Sequence, residues 1–204
     1  GYGCGNGNND HVFRLADTTQ GSSTVQKVFA PTSTAPPCQA QTASGNGQYL
    51  YWVSPPISSA VTISGNINYS GGCAESATQL NGGFRFLVKR WAVKQGGIVS
   101  TIHSSADTTE CGTSLALRTL AAAAPTATAM EAGDRLVFVI EVRATGSWGG
   151  NSTRTFTVGY DGTAGSTGDA FANFVDTVSF SADTNNAPPL PFTSQAVFPA
   201  LPRI

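Results

Sequence analysis

This sequence has little charge. Only 11% of its 204 residues are Asp, Glu, Lys or Arg, against roughly 25% in an average soluble protein. Histidine occurs twice and methionine once. The 11 basic residues are scattered and the net charge is −1, so the clustered Lys and Arg that track a phosphate backbone are missing and no nucleic-acid partner is expected. No apolar run approaches the roughly 18 to 20 residues needed to cross a bilayer, so no membrane partner is expected either. Lys, Glu, Leu and Arg are too few for a protein of long helices.

What is abundant is small and polar. Forty-four residues are Ser or Thr, and Gly and Pro contribute 23 and 11 more. That balance favours short strands joined by turns. Alternation of apolar and polar residues marks Val61 to Tyr69, with Val61, Ile63, Ile67 and Tyr69 on one face, as a single half-buried strand. Phe84 to Arg90 alternates likewise, and the change of apolar phase at Trp91 and Val93 predicts a bulge there. Arg135 to Arg143 is the most apolar strand, with Leu136, Phe138, Ile140 and Val142 toward the core. Further strands are read at 12–15, 24–29, 48–53, 98–102, 115–120, 154–160 and 174–180, and Leu120 to Ala124 is the one helix-like stretch.

About nine or ten strands without an amphipathic helix predict an all-β fold, an antiparallel, jelly-roll-like β-sandwich. Residues 1–47 form an arm and the first short strands, 48–184 the sandwich core, and 185–204 a Pro-rich extended tail. In that tail five prolines separate Phe192, Val197, Phe198, Leu201 and Ile204. It is too short for a core of its own and too apolar for a solvated tail, so these five residues are the candidates for contact with another subunit.

Chemistry is sparse. His11 and His103 stand in polar surroundings and read as surface residues; Glu75, Glu110, Glu131 and Glu141 read as turn or surface residues. There is no Gly-x-Ser-x-Gly elbow, Walker loop or metal-binding His pair. No catalytic residue, cofactor or metal is therefore assigned, and the chain is expected not to be an enzyme. The Asn and Asp residues in Gly-rich loops read as turn formers rather than calcium ligands.

Cys4, Cys38, Cys73 and Cys111 all lie in loop-like sequence and form no Cys-x-x-Cys pair. Three connectivities are open, as are four free thiols. Pairing Cys4 with Cys38 and Cys73 with Cys111 closes the shortest loops, and the second pair is the firmer expectation. Trp148, between glycines, is the ring best placed for stacking on a cell-surface glycan.

Several phrases resemble a group of β-sandwich structural proteins of tailed bacteriophages and prophages, of decoration or tail-associated type. They are Tyr51-Trp-Val-Ser-Pro-Pro-Ile57, Val61-Thr-Ile-Ser-Gly65, Ala74-Glu-Ser76, Ala132-Gly-Asp-Arg-Leu136, and Tyr160-Asp-Gly-Thr-Ala-Gly165 with Gly168-Asp169. The resemblance covers about residues 48 to 181 and implies a non-enzymatic component of a virus particle, displayed on its surface and self-associating or docked on other virion subunits. The cysteines and the apolar tail depart from that pattern. They keep open the alternative of a secreted carbohydrate-binding or adhesive sandwich.

The strand phase is directly testable. Ile140→Asp would place an unpaired carboxylate in the core and is expected to abolish the fold, at several kcal/mol. A soluble variant with an unchanged melting temperature contradicts the assigned face.

Overall fold

Strands that alternate wet and dry side chains bury one face each, and two sheets of them satisfy that requirement by sharing a core. The computed structural model describes residues 54, 56–146, 154–160, 166, 167 and 169–181, together with the backbone of the strands that precede residue 54; at 121–123 and 160 it describes the backbone alone. The strands are β1 (Gly3–Cys4), β2 (Asn9–Ala16), β3 (Val25–Phe29), β4 (Gln48–Val53), β5 (Val61–Ile63) and β6 (Ile67–Glu75). They continue as β7 (Gly82–Ala92), β8 (Gly97–Ser104), β9 (Ala116–Ala123), β10 (Thr128–Met130), β11 (Arg135–Ala144), β12 (Phe156–Tyr160) and β13 (Phe171–Ser179). All pairings among them are antiparallel, and the described residues contain no α-helix. The chain is an all-β sandwich.

One sheet has four strands in the order β4-β11-β7-β8. The other has seven and is organised around β6, which pairs with β9 along one side. Along the other side β6 pairs first with β13 and then with β12. The stretch paired with β12 begins at Gly72, opposite Gly159, where a Cβ would collide with the Thr167 carbonyl oxygen. Only glycine lets the β12–β13 connection close down on β6 at that point.

The core between the sheets joins Leu136, Phe138, Ile140 and Val142 of β11 and Phe84, Phe86 and Val88 of β7 to Ile67, Tyr69, Phe156, Val158, Ala172 and Phe174 opposite. Ring packing is specific: Tyr69 stacks on Phe86 at 4.9 Å, and Phe84 meets Phe86 edge-on at 5.3 Å.

Three local readings are corrected. Val61 to Tyr69 is two strands, because Asp176 of β13 accepts the Ser64 and Gly65 N–H groups at 2.8 and 2.7 Å and pulls the backbone out of the ladder. Side-chain parity nevertheless survives the break, so Val61, Ile63, Ile67 and Tyr69 all reach the core. The alanine run is the end of β9, a strand, since its pairing with β6 outweighs alanine's helical preference. The phase change at Trp91 is not a bulge in β7, which keeps an unbroken register with β11. The two irregularities place the extra residues Val99 and Ile102 on β8. Trp91 instead joins Leu87, Val137 and Val139 in a second apolar cluster on the opposite face of the four-stranded sheet.

A small frame fixes one end of the sandwich. Gly133 takes φ +89°, a left-handed conformation suited to glycine, and turns the chain into β11. The Asp134 carboxylate, 1% exposed, then accepts Glu131 N–H at 2.8 Å, Val93 N–H at 3.0 Å and the Arg90 guanidinium at 2.7 Å. Its backbone carbonyl accepts Ile57 N–H at 2.8 Å, and Gly133 N–H donates to the Ile57 carbonyl at 2.7 Å. Ser54 is bound to Leu136 twice, through Oγ and through N–H, both at 2.9 Å. Asp134→Ala strands these donors and leaves Arg90 without its carboxylate, so a loss of about 3 kcal/mol or more is expected. Chemical denaturation checks it; a loss under about 0.5 kcal/mol contradicts the frame.

Candidate functional site

β8 ends at Ser104 opposite Leu87, which leaves the β7 backbone from Gly82 to Phe86 without a strand partner on the side away from β11. Segment 105–111 takes that place. Ser105, Thr108 and Cys111 donate their N–H groups to the carbonyls of Phe86, Phe84 and Gly82 at 2.9, 2.8 and 2.8 Å. In return Phe86 N–H donates to Ser105 Oγ at 2.9 Å and Phe84 N–H to Thr108 Oγ1 at 3.0 Å. The last rung comes from β6, where Glu75 Oε2 accepts Gly82 N–H at 3.0 Å. The segment advances three residues for every two of β7, so side-chain oxygens supply the acceptors that backbone carbonyls would supply in a regular ladder. Every β7 donor on this edge is thereby satisfied, which the burial of Gly82, Phe84 and Phe86 requires.

Both ends of this cover are anchored to β6. At its start His103, buried, meets Tyr69: the Tyr69 hydroxyl and His103 Nδ1 lie 2.6 Å apart. Burial pushes the phenol up and the imidazole down, so the two groups share this hydrogen bond in their neutral forms. At its end Cys111 is joined to Cys73 by a disulfide across a Cα–Cα distance of 5.9 Å. Asp107, midway, pairs with Arg143 of β11 at 3.4 Å. Arg143 also reaches Glu141, which Arg85 holds from the other side.

The most unusual group here is Glu75, 1% exposed. One oxygen holds Gly82; the other, Oε1, is buried without a hydrogen-bond donor. Burial, with Glu110 as a second carboxyl partner, pushes Glu75 up to about 7 against the pull of the Gly82 N–H. A carboxyl that changes charge near neutrality beside a second carboxyl is the pairing that acid–base sites use.

Several sequence readings change as a result. Cys73 lies inside β6 rather than in a loop, because Gly71 and Gly72 are strand residues chosen for close packing. Glu75 and Glu141 are buried, not surface, residues, and so is His103. Tyr69 reads from the sequence only as part of an apolar strand face, and Ser105 and Thr108 carry no signal taken singly; the three-residue spacing Ser105, Thr108, Cys111 after a strand is the signal that could have found the cover. Cys4 lies in β1, with only its backbone described. Cys38, Trp148, Phe192, Val197, Phe198, Leu201 and Ile204 lie outside the described residues.

No protein-family model matches this chain. No curated protein matches it either. Among solved structures it is similar to an aminopeptidase from a marine sediment archaeon, Thaumarchaeota archaeon, with 10% identity and a TM-score of 0.53; the match covers 81% of this chain and 35% of that one. A CocE/NonD family hydrolase from Staphylococcus aureus shares 11% identity over 83% of this chain and 39% of its own, with a TM-score of 0.38. The infectious bursal disease virus Gx strain structure shares 9% over 83% and 39%, at 0.29. The aminopeptidase likeness shows a shared fold, and this chain spans about a third of that protein's length. It overturns the expectation that the chain is not an enzyme: a sandwich of the fold found in an aminopeptidase gives no ground for that exclusion, whether or not it carries a sequence-local catalytic motif.

The disulfide closes a separation of 38 residues, worth about 4 kcal/mol on the chain-entropy model. Replacing Cys73 and Cys111 together by Ser is expected to lower unfolding stability by that order in guanidinium titrations. An unchanged midpoint contradicts the bridge's role.

Proposed function

We propose that this chain is a structural component of a virus particle, a β-sandwich that covers or joins a capsid or tail surface through contacts between subunits. The observation that carries this reading is the ordered set of phrases similar to phage and prophage sandwich proteins. Two of them meet in the Asp134 frame, the phrase Tyr51 to Ile57 through Ser54 and Ile57, and Ala132 to Leu136 through Gly133, Asp134 and Leu136. What the resemblance shares is therefore the scaffold that sets the shape of the sandwich. Its partners are other virion subunits, including copies of itself, and its place is the particle surface. The contact is made by the C-terminal segment 185–204, whose Phe192, Val197, Phe198, Leu201 and Ile204 return roughly 1.5 to 3 kcal/mol each when fully buried. A preformed apolar groove at a subunit junction buries these side chains more fully than the surface of an isolated copy, and the prolines lower the cost of ordering the backbone between them.

A second reading has one observation behind it. The likeness to about a third of an aminopeptidase chain favours a sandwich module within, or docked on, a larger hydrolytic polypeptide. The source material separates the two: purified particles in which this sequence is found support the first, and a polypeptide carrying it that cleaves aminoacyl substrates supports the second.

Deleting residues 186–204 is expected to leave the sandwich folded while weakening self-association or particle binding at least tenfold, read by sedimentation velocity and negative-stain microscopy. A truncated chain that assembles as well as the full one contradicts the arm.

A further inference from the structure

The covered edge of β7 ends on an acidic pair. Glu75 reaches it from β6 and Glu110 from the cover itself, one residue before the disulfide-bonded Cys111. The backbone binds the same two segments together, with Glu75 N–H donating to the Gly112 carbonyl at 2.9 Å. Glu75 Oε2 is committed to Gly82, while Oε1 is buried with no donor. A buried carboxylate oxygen without a donor is unfavourable, whereas a protonated carboxyl beside a carboxylate makes a strong, charge-assisted bond.

β12 presents the apolar Phe156 as Glu75's register partner, and β7 presents Gly82. Arg118 of β9 donates to the backbone carbonyl of Glu110 at 3.2 Å, and Arg154, before β12, donates to the Gln79 carbonyl at 3.3 Å. Asp107, on the same cover, is paired with Arg143.

We propose that Glu75 and Glu110 hold a single proton between them, and that this proton latches the Cys111 end of the 105–111 cover onto the edge of β7. When the proton leaves to solvent, the exposed Glu110 and Glu75, 1% exposed, face each other with two negative charges. The Glu75–Gly82 rung and its neighbours then loosen, while the disulfide keeps the cover tethered. The direction with pH follows from linkage. An ordinary Glu titrates near about 4.3 in the unfolded chain, and Glu75 in the folded chain near about 7. The folded state therefore holds the extra proton between those values, and this contribution to stability falls as pH rises from about 4 to about 7.

The test uses the full, oxidised chain. Carbon-13 NMR of the glutamate carboxyls is expected to give Glu75 a midpoint above 6, with the Thr108 and Cys111 amide signals moving at the same midpoint. Glu75→Gln, which mimics the protonated carboxyl, should abolish that amide transition and flatten the wild-type fall in melting temperature between pH 5 and 8. Glu110→Gln removes the facing charge and should lower the Glu75 midpoint by at least one pH unit, a tenfold change in proton affinity. It keeps the proposal testable if Glu75→Gln does not fold. A Glu75 midpoint below 5, amides that ignore it, or a Glu110→Gln midpoint equal to wild type would each overturn the latch.

Discussion

A buried backbone N–H must find an acceptor, and the edge of β7 is where this sandwich meets that demand without a strand. β8 stops opposite Leu87, yet the residues beyond it, Gly82, Phe84 and Phe86, lie in the core. Their donors go to Glu75, Thr108 and Ser105, and their carbonyls to the N–H groups of Cys111, Thr108 and Ser105. An uncovered edge here would be an open template for another chain. The cover closes it, and Cys73–Cys111 with Tyr69–His103 ties it to the facing sheet. The disulfide, the buried glutamate and the buried histidine are thus parts of one solution to one hydrogen-bonding problem.

The opposite end of the sandwich is held differently. There Asp134 gathers three donors at the turn into β11, and Ser54 and Ile57 lock onto the same turn through the backbone. Short phrases such as Ala-Gly-Asp-Arg-Leu are informative because each letter has a job: a left-handed glycine, a buried acceptor, and the first residues of the central strand. Such phrases report shape. The similarity to part of an aminopeptidase makes the same point, since one sandwich can serve proteins that do different work.

How much of this was legible in the sequence depended on whether the cause was local. The period-two pattern of Phe84, Phe86 and Val88, and of Leu136, Phe138, Ile140 and Val142, identified faces that pack as expected. Glu75 and Glu141 misled because a carboxylate's burial is decided by partners distant in sequence: Gly82 and Glu110 for one, Arg85 and Arg143 for the other. Cys73 misled because two preceding glycines look like a turn, whereas in β6 they make room for Phe86 and for the Thr167 carbonyl. Trp91 changed phase for its own reason: it serves a second apolar cluster on the other face of its sheet, and a single strand's period does not record that both faces are apolar there. The alanines at the end of β9 show tertiary pairing overriding propensity.

Native-state hydrogen exchange at Gly82, Phe84 and Phe86 tests the central claim, because these amides are bonded to side chains rather than to a strand. In the oxidised protein all three are expected to be protected to the same degree as the β7–β11 ladder. After selective reduction of Cys73–Cys111 they should lose protection together, Gly82 most, while amides in β11 keep theirs. Rapid exchange of the three in the oxidised protein, or protection unchanged by reduction, would contradict the account.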